Sequence, residues 1–259
     1  MFYSHQYRPK SVITFSLILL LSLMITNYSF SALVGYWSFD QGDSGKDLSG
    51  NNNHGKIQGK PKSVVGKIKT ALELNGSSDW VSIEHNASIA NFDQLSISAW
   101  IKLIKVNAWT AVIEKGIHEN WSYGFFLEPD STLSFYVSQK GNKLACCIGD
   151  YKIKPTEWYH IAGTYDGKLA KLWVNGKAEA EMAATGSLHP TDGLPLAIGA
   201  RGKGDGESFF NGVIDEVTLW NSLVSIDEMK QPLKTTSVIP LDKLSLTWAK
   251  IKSRPQSSL

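Results

Sequence analysis

The sequence predicts an all-β protein made of two packed antiparallel sheets, and three observations carry that prediction. Between residues 32 and 231 few segments exceed ten residues without Gly, Asn-Gly, Asp-Gly or Pro, the punctuation of short strands. Leu95, Ile97, Ala99, Ile101 and Leu103 alternate with Ser96, Ser98, Trp100 and Lys102, a period of two that buries one face of a strand and wets the other. Two tight-turn signals, Asp166-Gly167 and Asn175-Gly176, separate the runs WYHIAGTY and LAKLWV, and each dipeptide supplies the positive-φ positions of a two-residue hairpin loop.

Taken in order, short apolar or alternating runs bounded by turn residues occur at Leu33 to Phe39, Ala71 to Leu74, Trp80 to Ile83, Leu95 to Leu103, Thr110 to Glu114, Tyr123 to Leu127 and Thr132 to Val137. They continue after GNKLA and at Trp158 to Tyr165, Leu169 to Val174, Leu196 to Gly199 and Val213 to Trp220. Strands of this number and length suit a sandwich. Ser225 before Ile226-Asp227-Glu228-Met229-Lys230 reads as an N-cap with acids in the first turn, so a short helix closes the domain and Pro232 stops it.

The segments GYWSFD (35–40), DLSGNNNHG (47–55), GKIKTALELNGSSDWVSI (66–83), LSISAWIK (95–102), WYHIAGTYDGKLAKLWVNGK (158–177) and FNGVIDEVTLW (210–220) stand in one order along the chain. That series resembles the laminin-G-like jelly-roll family, the concanavalin A-like lectin/glucanase sandwiches related in shape to pentraxins. The resemblance covers Leu33 to Gln231. It implies a jelly-roll sandwich with a short C-terminal helix and tail; it says less of function, because this fold hosts lectins, adhesion modules, glycanases and spacers.

Arg8 and Lys10 precede an apolar run from Val12 to Thr26, shorter than a membrane span needs, with Ser29-Phe30-Ser31 after it. The expectation is a signal peptide over residues 1–31, a jelly-roll domain over 32–231 and a C-terminal tail over 232–259. The protein would then be secreted, cell-surface or periplasmic, with no stable span after cleavage. The net charge of +2 falls to zero on removal of residues 1–31, which leaves 24 basic against 24 acidic residues. Such a balance disfavours nucleic acid as a partner. The two cysteines, Cys146 and Cys147, are adjacent on a strand; one inward and one outward thiol are expected, since neighbours on a strand face opposite ways, and the alternatives are a vicinal disulfide or an intermolecular bridge through the outward one, which export would permit.

Asp215 shares a strand face with Val213, Val217 and Leu219 by simple alternation, so an inward face would bury a carboxylate among apolar groups. Calcium relieves that cost, taking six to eight oxygens from carboxylates, amides and carbonyls. The resemblance implies that the first and last strands pair, so that Asp40 and Asp215 face one ion, with Asn53 and more weakly Asp47 as loop ligands. Without metal, Asp215 would accept backbone amides at a strand end, Asp47 would cap a turn, and His54 would close its loop by hydrogen bonding.

Glycanases of this sandwich class carry two catalytic Glu residues on one strand, and the chain lacks that pattern: Glu128-Pro129-Asp130 has no second Glu, and Asp215-Glu216 should face opposite ways. No GxSxG or HExxH occurs. Trp109 beside Asn107 and Trp121 beside Asn120 offer flat apolar faces next to hydrogen-bonding groups, and the loop GARGKGDGESFFNG supplies Arg201. The expectation is a non-catalytic binding module for a glycan, stabilised by calcium. The alternative is a structural or adhesion module contacting an extracellular protein.

Overall fold

The structure is a computed structural model and describes residues 33–41, 45–106, 108–117, 119–141, 143–202, 204 and 208–230, with the backbone alone at residues 143, 146 and 147. The readings of residues 1–31, of the tail 232–259, of Asn107 and of the two thiols lie outside the described parts.

Fifteen strands are present among the described residues: β1 (Leu33–Trp37), β2 (Gly55–Gln58), β3 (Lys62–Val65), β4 (Thr70–Asn75), β5 (Trp80–Ile83), β6 (Leu95–Lys105), β7 (Thr110–Ile117), β8 (Asn120–Leu127), β9 (Thr132–Gln139), β10 (Lys143–Lys152), β11 (Trp158–Tyr165), β12 (Leu169–Val174), β13 (Lys177–Ala183), β14 (Leu196–Ile198) and β15 (Asn211–Trp220). Among the described residues one α-helix, α1, spans Ile226–Lys230, and one 3-10 turn spans Ala87–Ile89. The first sheet runs β13-β12-β11-β6-β15-β4-β3 with β1 also paired to β15, and the second runs β10-β9-β8-β7-β14-β5-β2. All recorded pairings are antiparallel. The predicted two-sheet sandwich is therefore the observed fold.

Between the sheets lies a core that includes Trp37, Leu74, Ile97, Ile101, Phe125, Phe135 and Tyr165. The inward residues of β6 are fully buried, as the period of two requires. Ser96 and Ser98, on the opposite face, are buried as well, because the chain after β15 folds back over them. Ser96 Oγ donates to Ser222 O, Ser98 Oγ bonds Thr218 Oγ1, and Met229 packs with Trp220 and Ala162. Ser225 caps α1 as expected, its Oγ accepting from Glu228 N at 3.2 Å. His160 lies under this cover with Nε2 3.3 Å from Met229 O, and burial pushes its pKa down to about 4.

The β11-β12-β13 meander confirms both hairpin turns, with one change of detail. Asn175 and Gly176 both have positive φ, but at the first turn only Gly167 does. There Asp166 Oδ1 accepts from Lys168 N and Leu169 N at 2.7 Å, so a side chain organises a slightly longer loop. Gly163 on β11 faces the ring of Phe135, where a Cβ would overlap ring carbons. Gly163→Val should cost roughly 1 to 3 kcal/mol through overpacking; a urea midpoint unchanged from the parent would show the core to be looser than this contact implies.

Candidate functional site

Three local arrangements bear on function. The first is the DLSGNNNHG loop, which is knit around Asp47. This carboxylate is 4 % exposed. Its Oδ1 accepts from Tyr36 N at 3.0 Å and Ser49 N at 2.8 Å, and its Oδ2 from Ser49 Oγ and Asn53 N, both at 2.9 Å. Asn53 in turn donates to Val34 O and Ser88 Oγ and accepts from Ser88 Oγ, while Trp37 Nε1 donates to Asn53 O. His54 Nδ1 accepts from Asp47 N at 3.1 Å. Asp47 and Asn53 thus act as the turn-organising groups, and His54 closes the loop.

The second arrangement sits where β1, β15 and the 66–70 turn meet. β1 pairs with β15, which brings Asp40, just beyond β1, toward Asp215. The register of β15 against β6 shifts between Asp215 and Thr218, and Glu216 has φ 49°. This bulge breaks the alternation on which the sequence reading relied. Val213 and Asp215 pair with Lys102 and Trp100 on the outer side, whereas Val217 and Leu219 belong to the core. Asp215 and Glu216 consequently both lie on the outer side of the sheet, correcting the expectation that they face opposite ways.

Asp215 is buried by the 66–70 turn rather than by the core. Its Oδ2 accepts from Lys67 N at 2.8 Å and Ile68 N at 3.0 Å, and a Cβ on Gly66 would lie 2.6 Å from that oxygen. Oδ1 is buried with no hydrogen-bond donor. Burial pushes the Asp215 carboxyl up to about 6, opposed by the backbone amides of Ile68, Lys67 and Glu216 and reinforced by Asp40. Burial likewise lifts Glu216 to about 7, with Asp215 and Asp40 adding to the rise; its Oε2 accepts from Tyr36 Oη at 2.8 Å. Asp40 accepts from Lys69 Nζ at 2.8 Å and from Thr70 N. Among the described residues no three His, Cys, Asp or Glu side chains converge on one point as metal ligands. Asp40 and Asp215 are brought together; Asp47 and Asn53 serve the other loop.

The third arrangement is an aromatic groove of about 390 Å³ on the outer face of the second sheet, lined by Trp109, Trp121, Phe126, Tyr136, Leu144, Arg201 and Ser208. The structure therefore gathers Trp109, Trp121 and Arg201, which are far apart in sequence, into one site. Trp121, Phe126 and Tyr136 contact one another with centroids 5.1 to 5.9 Å apart, forming a platform separate from the main core. Trp109 stands at the rim, 46 % exposed. Arg201 follows β14, and its guanidinium lies 5.2 Å from the Trp121 ring and 5.9 Å from that of Phe126. Its Nε is 3.5 Å from Oε1 of Glu114, a fully buried carboxylate on β7.

Phe126, Tyr136, Leu144 and Glu114 were not singled out from sequence. A signal existed: Phe125-Phe126 and Phe135-Tyr136 are aromatic doublets on strands, so one ring of each must point out of the core. A second hollow of about 520 Å³ adjoins on the same face, lined by residues that include Glu128, Asp130, Ile148, Asp150 and Lys152. Tyr136 Oη, at the boundary, donates to Glu128 Oε1 at 3.3 Å.

The architecture recurs in known structures of low sequence identity. Domain 4 of AbnA, an extracellular arabinanase from Geobacillus stearothermophilus solved with arabinotriose, superposes with TM-score 0.64 at 21 % identity over 77 % of this chain and 97 % of that one. The binding domain of Paraclostridial Mosquitocidal Protein 1 gives TM-score 0.61 at 18 % identity over 77 % and 51 %. The binding domain of Botulinum Neurotoxin DC in complex with SialylT gives 0.56 at 16 % over 71 % and 46 %. The chain thus spans about half the length of these toxin domains and nearly all of the arabinanase domain. No curated protein matches the sequence significantly. The sequence model of the concanavalin A-like lectin/glucanases superfamily, Laminin_G_3, matches residues 75–230, more than half of the protein, and the chain belongs to that family.

Proposed function

We propose that this protein is an exported, non-catalytic module that binds a glycan in the aromatic groove of its second sheet. The observation that carries the reading is the convergence of Trp109, Trp121, Tyr136 and Arg201 on one concave surface. Ring faces cover the apolar side of a sugar while a guanidinium and hydroxyls meet its oxygens. The arabinotriose bound to the AbnA domain and the SialylT complex of the toxin domain support a sugar as the class of ligand. The platform also favours a glycan over a protein partner, because its rings line a hollow rather than form a flat apolar patch.

Removing the exposed ring tests the site without disturbing the core. Trp109→Ala should weaken glycan binding about tenfold and leave the unfolding midpoint within about 1 °C, since surface changes of this kind alter stability little. Affinity electrophoresis in gels containing soluble polysaccharides reads the first effect and a thermal scan the second. Retention equal to the parent's on every retaining polymer places the sugar elsewhere.

For the acidic cluster the cation we propose is calcium, which the carboxylates of Asp40 and Asp215 would hold. The donorless Oδ1 of Asp215 supports this choice. Asp47 and Asn53 belong instead to the neighbouring 47–55 loop, where the oxygens of Asp47 accept four hydrogen bonds and Asn53 bonds Val34 O and Ser88 Oγ. The ion's role there is structural, fixing β15 to the chain after β1; it takes no part in binding the sugar.

A further inference from the structure

We infer that the groove selects uncharged glycan chains and turns away acidic ones, and that Glu114 is the residue that sets this preference. The inference rests on the glycan-binding reading and deepens it. Among the described residues, Arg201 is the one charged side chain that lines the groove. An unpaired arginine on an aromatic platform would favour uronates or other carboxylated sugars, since charge-assisted bonds to a guanidinium are the strong ones.

Here that charge is already met. Glu114 is fully buried beneath the platform, and its Oε1 lies 3.5 Å from Arg201 Nε. An incoming carboxylate would lose its hydration yet meet a cation whose field the buried glutamate offsets. The guanidinium also lies over the rings of Trp121 and Phe126, 5.2 and 5.9 Å from their centroids, so its hydrogen-bond donors stand beside the aromatic platform. That geometry suits ring and hydroxyl oxygens of a neutral sugar.

The second observation is independent of the first. Among the described residues, the adjoining hollow carries Glu128, Asp130 and Asp150 against one cation, Lys152, which is itself paired with Asp130 at 2.8 Å. Glu128 accepts from Ser134 Oγ and Tyr136 Oη, which fixes its carboxylate beside the platform. A chain long enough to cross both hollows meets net negative charge at this end. A polyuronate would set carboxylate against carboxylate, and rejection by like charge is an effective source of specificity.

The test is affinity electrophoresis and calorimetry of the full chain against neutral polymers (arabinan, xylan, galactan, β-glucan) and acidic ones (polygalacturonate, alginate, hyaluronate). The parent should bind at least one neutral polymer, and more than about tenfold tighter than any acidic one, the scale of a single charge-assisted contact. Glu114→Gln should narrow that ratio by raising affinity for acidic polymers in a salt-sensitive way. Because Glu114 is buried, the double variant Glu128→Gln/Asp150→Asn on the adjoining surface provides a second arm and should narrow the ratio in the same direction. Tighter binding of an acidic polymer by the parent overturns the inference and leaves the glycan reading standing. A ratio unmoved in both variants, each shown folded by its unfolding midpoint, also overturns it. Binding to neither class overturns the glycan reading and this inference with it.

Discussion

Asp47→Ala is expected to lower the unfolding free energy by about 3 to 5 kcal/mol. The residue is nearly inaccessible and its two oxygens accept four hydrogen bonds, three of them from the backbone amides of Tyr36, Ser49 and Asn53. Alanine leaves those donors without acceptors, and each buried unpaired group costs on the order of 1 to 3 kcal/mol, less than additively when neighbours relax together. For a domain of this size the midpoint should fall by roughly 10 °C. Asp47→Asn should recover little. An amide can turn its oxygen toward one pair of donors, but its NH2 then faces the other pair, and Asn53 N is fixed by the backbone. Denaturant unfolding of both variants checks the claim; a loss under about 1 kcal/mol would show that water satisfies the loop in place of the carboxylate.

The same residue shows how the sequence could be read for fold and for site. The period of two in β6, the Asn175-Gly176 turn and the Ser225 cap are local signals, set by steric rules that act within a few residues, and each appears in the structure where the pattern places it. The strands β2, β3 and β13 were not legible. They are short or largely exposed, as in GKIQ, KSVV and KAEAEMA, and form because a neighbouring strand offers its edge.

The site was legible in part. Trp109, Trp121 and Arg201 were recognisable as residue types that bind sugars, but their convergence depends on the order β10-β9-β8-β7-β14, which no local pattern encodes. The facing of Asp215 was hidden for a different reason. Counting by twos along VIDEVTLW assumes an unbroken ladder, and the extra residue at Glu216 reverses the parity halfway along β15. No Gly marks the bulge, so the left-handed φ of Glu216 had no sequence signal. Holding a non-glycine residue there costs of order 1 kcal/mol or more, and it places two carboxylates side by side over the β1–β15 seam.

That seam gives the second large expected effect. Asp215 and Glu216 both have folded pKa values above their ordinary ones, at about 6 and about 7, chiefly because burial disfavours their charged forms. The folded chain therefore holds more protons than the unfolded chain between about pH 4 and pH 7, and stability falls as pH rises through that window. A displacement of about two units in one group corresponds to roughly 3 kcal/mol, and the two groups are coupled, so their effects do not simply add. In chelator, the difference between parent and Asp215→Asn should grow with pH, the variant becoming the more stable of the two by about 2 to 3 kcal/mol above pH 7.5. Calcium should reverse the order. Binding to the ionised carboxylates of the folded state raises the parent midpoint by mass action, while Asp215→Asn, lacking the central charge, should respond weakly. Thermal scans at pH 4.5, 6 and 7.5, with calcium and with chelator, separate the two parts of the argument. A pH-independent difference between the proteins would show that water already solvates Oδ1, and a parent midpoint unmoved by calcium at pH 7.5 would leave the seam as a proton-binding pair with no metal.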